Sequence, residues 1–207
     1  MENSPETNKG VAEFWSWFEK NFDRLLDFED KMEEIFEELK IELRKIHPDL
    51  VFEFGPKTDA GWEFSISADG ILEVFPYVRA IVDMAPKFDN LRIHAFRQRC
   101  DTNVVLTIND ISLKTEDVKF MLNPDVDMVG ITIYFPDAID VESDAAKTIC
   151  CLLLDNALGE FDAVTKISYL EIKNYDCSLM HDDIHSWLIL PQTFDDFYSQ
   201  LIESGKN

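Results

Sequence analysis

The chain has 207 residues, 46% apolar and 12% aromatic, and its 41 acidic against 19 basic side chains leave a formal net charge of −22. A chain of this length buries about 70% of its unfolded surface on folding, and 16 Phe with 4 Trp supply bulky core material, so global disorder is excluded. The excess of carboxylates repels phosphate backbones and anionic lipid surfaces, which removes the usual driving force for nucleic-acid or membrane binding. No apolar run is long enough to span a bilayer, and the polar start MENSPETNKG lacks a signal region, so a soluble cytoplasmic protein is expected.

A flexible N-terminus is expected over residues 1–10. From Val11 to Ile46 the apolar positions Val11, Phe14, Trp15, Phe18, Phe22, Leu25, Met32, Ile35, Phe36, Leu39, Leu43 and Ile46 step by three and four, the period of a helix. One unbroken helix there would be about 54 Å long, against a radius of gyration of roughly 17 Å for a compact chain of this size. The polar run Asp27 to Asp30 therefore predicts a break, and an N-terminal helical pair ending before Pro48. The period then changes to two. Strands are expected around Phe52 and Phe54 and from Trp62 to Ile66, with turn residues at Asp69-Gly70 and a short helix opened by Phe75-Pro76.

Further strands are expected over Leu91–Gln98, Val104–Ile108, Ile111–Leu113, Val118–Leu122 and Met128–Phe135, joined by turns at Asn109-Asp110 and Asn123-Pro124-Asp125 that favour antiparallel neighbours. Ser143–Leu158 reads as a buried helix stopped by Gly159, Ile167–Ile172 as a strand and Phe194–Ile202 as a terminal helix. With no linker rich in Gly, Ser or Pro, residues 11–207 are expected to form a single α+β domain, a mostly antiparallel sheet with helices packed on one face. A split near Ile139 is the alternative division. Cys100, Cys150, Cys151 and Cys177 have no regular spacing and read as buried free thiols of a reducing cytosol.

The strings F-W-x-W-F at Phe14 to Phe18, I-S-A-D-G at Ile66 to Gly70, F-P-x-V at Phe75 to Val78, A-P at Ala85-Pro86, A-F-R-Q-R at Ala95 to Arg99 and L-L-D-N-x-L-G-E at Leu153 to Glu160 resemble a family of uncharacterised bacterial proteins, a domain of unknown function. The resemblance implies a soluble bacterial α+β protein and carries no activity or catalytic residue.

Three constellations carry chemistry. Cys177, His181 and His185, four apart in C-S-L-M-H-D-D-I-H, would share one face of a helix and offer a thiolate and two imidazoles to zinc; the competing reading is a polar surface segment. Arg97 and Arg99, on one face of an expected strand beside Arg92 and His94, form a forked pair suited to a carboxylate or phosphate. The competing reading pairs these arginines with the protein's own acids, such as Glu53 or Glu63. Asp155, in the apolar stretch LLLDNALG, is either a partly buried carboxylate with a perturbed pKa or a hydrogen-bonded acid near a helix end.

No phosphate-loop, dinucleotide, nucleophile-elbow or C-x-x-C pattern occurs, N-P-D-V-D at Asn123 to Asp127 reads as a turn, and no cofactor is expected. What remains is acidity and aromatic surface. Trp17 projects away from the core stripe and would anchor a partner if exposed, while Glu33, Glu34, Glu37 and Glu38 make an acidic face on the second helix. The favoured expectation is a non-enzymatic interaction module whose partner is a basic protein, including a toxin neutralised by an acidic immunity-type protein. An anion binder or enzyme at Arg97 and Arg99, and a metal site at Cys177, His181 and His185, are the alternatives. Whether any catalytic activity exists, and the oligomeric state, are left open.

Overall fold

The computed structural model describes residues 4–27, 31–59, 61–109, 111–175 and 183–205. Where the linker-free sequence suggests a single domain, the described residues cluster in two compact units, Met1–Arg97 and Gln98–Asn207. Each has helices and strands of the α+β class.

In the first unit, α1 (Pro5–Leu26) starts six residues before Val11, because Ser4 accepts a bond from the Thr7 amide at 3.1 Å and Pro5 occupies the first turn. The segment expected to be flexible is helical from Pro5 onward. α2 (Met32–Arg44) follows the expected break, and Glu33 and Glu34 in its first turn oppose the positive end of the helix dipole. β1 (Val51–Phe54) and β2 (Trp62–Ser67) pair antiparallel, and after α3 (Phe75–Asp83) the chain returns as β3 (Leu91–Ala95), parallel to β2. The sheet order is β1-β2-β3. Alternation sends Phe52, Phe54, Phe64 and Ile66 to one face and Glu53, Glu63, Ser65 and His94 to the other.

Helices cover the apolar face. Phe18 of α1 lies 5.5 Å, ring to ring, from Phe64, and Phe36 of α2 lies 5.2 Å from Phe52. The buried indole of Trp15 donates from Nε1 to the Ile81 carbonyl of α3 at 2.8 Å, which satisfies its only polar atom and ties α1 to α3. β3 stops earlier than the expected Gln98. Its last rung is the Phe96 amide on the Ile66 carbonyl at 2.8 Å, and Phe96 then takes φ +70°, a left-handed turn that leaves the ladder while its ring stays buried against Phe75.

The second unit opens with the hairpin β4 (Val105–Ile108) and β5 (Ile111–Lys114). β6 (Lys119–Asp125) and β7 (Met128–Phe135) pair antiparallel; α4 (Asp144–Leu158) and α5 (Glu160–Lys166) lead to β8 (Ile167–Asn174), parallel to β7. β9 (His185–Ser186) pairs with β6, giving the order β8-β7-β6-β9, and α6 (Leu190–Ser204) closes the described chain. Both units thus contain a hairpin, a helical crossover and a strand parallel to the second hairpin strand.

Several sequence expectations are corrected here. Asn123, Pro124 and Asp125 lie within β6, and the turn is Val126-Asp127. Pro124 is tolerated because it occupies a rung opposite Val129 where its nitrogen faces away from β7, beyond the two residues that pair with β9. α4 is not enclosed on all sides: Ile149, Cys150, Leu153 and Leu154 are buried, whereas Cys151 and Leu152 are exposed. Cys100, Cys150 and Cys151 are free, but only Cys150 is buried, and burial pushes its thiol well above the usual range.

Candidate partner-binding groove

Met32, Glu33, Phe36, Glu37 and Lys40 fall on one side of α2 by their spacing of three and four, and this side meets the edge strand β1. Met32 and Phe36, with Val51 and Phe52 of β1, line a groove of about 510 Å³, rimmed by Glu33, Glu37 and Lys40. Met32 is 47% exposed although the helical stripe would place it in the core. The physical reason is width. Ile35, Leu39 and Leu43 already fill the interior at 0% exposure, so Met32 at the margin of the stripe is left exposed.

The acidic face of α2 is not one surface. Glu33 and Glu37 rim the groove, and Glu37 pairs with Lys40 at 3.3 Å, an exposed intrahelical contact. Glu38, on the opposite flank, takes both arms of the Arg24 guanidinium from α1, the Nη1 to Oε1 bond being 3.0 Å, while Arg24 also donates to Asn21 Oδ1 at 3.2 Å. The hydrogen bonds from Arg24 hold the Glu38 carboxyl below the usual range and raise Arg24 in turn, with Glu34 adding attraction on Arg24. Glu33 and Glu37 thus lie on the groove side of α2, Glu37 beside Lys40, whereas Glu34 and Glu38 face Arg24 of the helical pair. Trp17 is half-buried, its ring 6.3 Å from Phe14, and its carbonyl accepts from Asn21 at 2.8 Å.

The arginines of the expected anion site fall in different units. Arg97, in the first, pairs with Asp69 at 2.8 Å and approaches Glu53 at 3.6 Å. Arg99, in the second, grips Asp195 with two bonds of 2.8 Å, Asp162 with one of 2.8 Å, and donates Nε–H to the Leu158 carbonyl at 2.9 Å. That fork raises Arg99 and lowers Asp195. Arg92 reaches Glu63 at 3.9 Å, and His94 contacts the same carboxylate. Both guanidiniums thus meet the protein's own acids, as the competing sequence reading has it.

Of the expected metal ligands, Cys177 and His181 lie outside the described residues. His185 is in β9, its ring 5.7 Å from that of Phe120. Among the described residues no cluster of three or more His, Cys, Asp or Glu is placed to hold a metal ion. Asp155 is half-buried in the last turns of α4, and its carbonyl accepts the Gly159 amide at 2.9 Å.

A smaller, polar cleft of about 220 Å³ lies in the first unit among Asp23, Asp27, Lys57, Trp62 and Asn90, with the Lys57 ammonium 5.6 Å from the centre of the Trp62 ring. No Ser, Thr, Cys or His lines either cleft among the described residues. Helical spacing places Glu33 and Glu37 on one face of α2, whereas the groove floor is hidden in the sequence because Met32, Phe36 and Phe52 read as ordinary core positions. Among the described residues no helix is long and apolar enough to cross a membrane. Comparisons of the chain with protein-family models, with curated proteins and with solved structures each found no match.

Proposed function

We propose that the protein is a non-enzymatic interaction module and that the α2–β1 groove receives a basic protein. The observation that carries this reading is the combination, on one helix side, of an apolar floor at Met32, Phe36, Val51 and Phe52 with an acidic rim at Glu33 and Glu37. An apolar floor supplies affinity when water leaves it, and a rim on which two carboxylates outnumber the single ammonium of Lys40 favours a cationic partner and speeds the encounter. The net charge of −22 extends the same preference over the whole molecule, disfavours phosphate-rich ligands and leaves a cationic protein as the complementary class.

The test is affinity capture from lysate with the wild-type chain and with the double substitution Glu33→Gln, Glu37→Gln, washed from about 0.1 to 1 M salt, a range over which the Debye length falls from about 10 to 3 Å. Basic proteins retained at low salt, released at high salt and lost with the substituted chain are the expected result. Retained partners that are not basic, or retention indifferent to both salt and substitution, would remove the reading.

A further inference from the structure

We propose that the outer face of the second unit's four-stranded sheet binds a neutral saccharide, with the ring of Tyr169 as its stacking platform and Asn123 beside it. The site lies in the second unit alone and goes beyond the protein partner of the α2–β1 groove.

Strand pairing builds the platform. Tyr169 of β8, Gly130 of β7 and Asn123 of β6 occupy one row across the sheet, and Glu171 with Thr132 the next, all on the face opposite the core residues Phe120, Ile131 and Ile133. A methyl group at Gly130 would collide with Cε1, Cζ and Oη of Tyr169, so the phenol lies across β7 in space that only glycine leaves open. A ring laid over a strand turns one face to the backbone and the other to solvent, and Tyr169 remains 40% exposed. The outward face of an aromatic ring carries partial negative charge, which attracts the polarised C–H groups on the flat side of a pyranose.

Polar groups border the ring and suit hydroxyls. Asn123 is half-buried at the end of the row, and among the described residues no hydrogen bond engages its side-chain amide, which offers two donors and an acceptor. Two residues along β8 from the tyrosine, Glu171 accepts from Lys173 at 2.6 Å and from Thr132 at 3.4 Å while half of its side chain stays exposed. A carboxylate acceptor is thereby fixed near the ring, the kind of placed polar group that orients a ligand.

Charge selects the neutral class. In a half of the chain where carboxylates far outnumber ammonium groups, this face sets Lys119 and Lys173 against Glu171 and Asp125 and is balanced. The surrounding acidity repels anionic ring compounds such as nucleotides and uronic acids, and Lys173 already neutralises the carboxylate that a cation on the ring would seek.

Amide chemical shifts of the full chain, titrated to about 10 mM with each of the neutral hexaoses of cellulose, starch, mannan and N-acetylated chitin, provide the test. At least one sugar should move the amides of Asn123, Gly130 and Tyr169. For that sugar Tyr169→Ala and Asn123→Ala should each weaken binding about tenfold, whereas Tyr169→Phe keeps the stacking ring and stays within about threefold of wild type. Asn123→Ala should leave the melting temperature unchanged, so its loss of affinity reports binding and not folding. Hexagalacturonate, of the same length but anionic, should bind at least about tenfold more weakly than the best neutral sugar. No movement of those amides with any of the four sugars, binding indifferent to either alanine substitution, or equal binding of hexagalacturonate would overturn the saccharide platform. Capture of a basic protein through Glu33 and Glu37 is read separately and is untouched by any of these results.

Discussion

The Arg24 guanidinium of α1 binds the Glu38 carboxylate of α2 through two hydrogen bonds, and this pair engages one flank of the acidic face of α2 in holding the two helices together. Both side chains are more than a third exposed, at 39% and 37%, so solvent screens the pair and its net worth is about 0.5–1 kcal/mol. Glu38→Gln should lower stability by that amount at pH 7, read as a shift of the urea midpoint. Glu33→Gln should shift it by less than about 0.5 kcal/mol, as for other surface changes.

The same pair sets a pH dependence. The folded state lowers the Glu38 pKa, so its contribution is fully present above the unfolded carboxyl value of 4.5 and is lost as pH falls through the lowered folded value. Denaturation of the wild type and Glu38→Gln across pH 2 to 7 should show two curves that differ at neutral pH and converge in acid. Parallel curves would show that Glu38 gains nothing from Arg24.

Arg99 joins the chain just before β4 to α4, α5 and α6 through four hydrogen bonds. Arg99→Lys keeps the charge and loses the fork, and should destabilise by about 1–2 kcal/mol, the lower part of the range for charged hydrogen bonds because Asp195 is half exposed. Because Asp162 and Asp195 occupy the guanidinium, millimolar phosphate should leave the wild-type melting temperature unchanged. A rise on adding phosphate would restore an anion site at Arg99.

Val126 stands 90% exposed in the two-residue turn between β6 and β7 with φ +58°. A β-branched side chain in that region is strained by roughly 1–2 kcal/mol, and at 90% exposure Val126 gains little burial to offset it. Val126→Gly should therefore raise stability by about 0.5–1 kcal/mol after allowance for the greater freedom of glycine in the unfolded chain. A calorimetric melting temperature that falls instead would show that the valine holds the turn by a contact the folded unit needs.

Most element positions were legible because period and punctuation agree in this chain. The helical stripe from Val11 to Ile46, the alternation at Trp62 to Ile66 and the cap at Gly159 all lie where the structure has them. Phe96 and Pro124 mark the limits of that reading. Bulky Phe96 adopts a backbone region that glycine usually occupies, so nothing local announces that β3 ends before it, and Pro124 reads as a turn until its rung against Val129 is known. The site divides in the same way. Helical spacing places Glu33 and Glu37 together, but only the tertiary partners show that Arg24 occupies Glu38 and that β1 runs beside Phe36.

The central claim, that a local groove and not the overall acidity selects a basic partner, is tested most directly by titrating a fluorescein-labelled peptide rich in lysine and valine against three proteins over a salt series. These are the wild type, Glu33→Gln with Glu37→Gln, and Glu142→Gln with Glu203→Gln, which removes the same two charges from exposed positions in the other unit. The groove pair should weaken binding by about tenfold and flatten its salt dependence, while the remote pair stays within about twofold of wild type. Equal losses in the two variants, or none in either, would show that the peptide responds to net charge alone and would contradict the assignment of the α2–β1 groove.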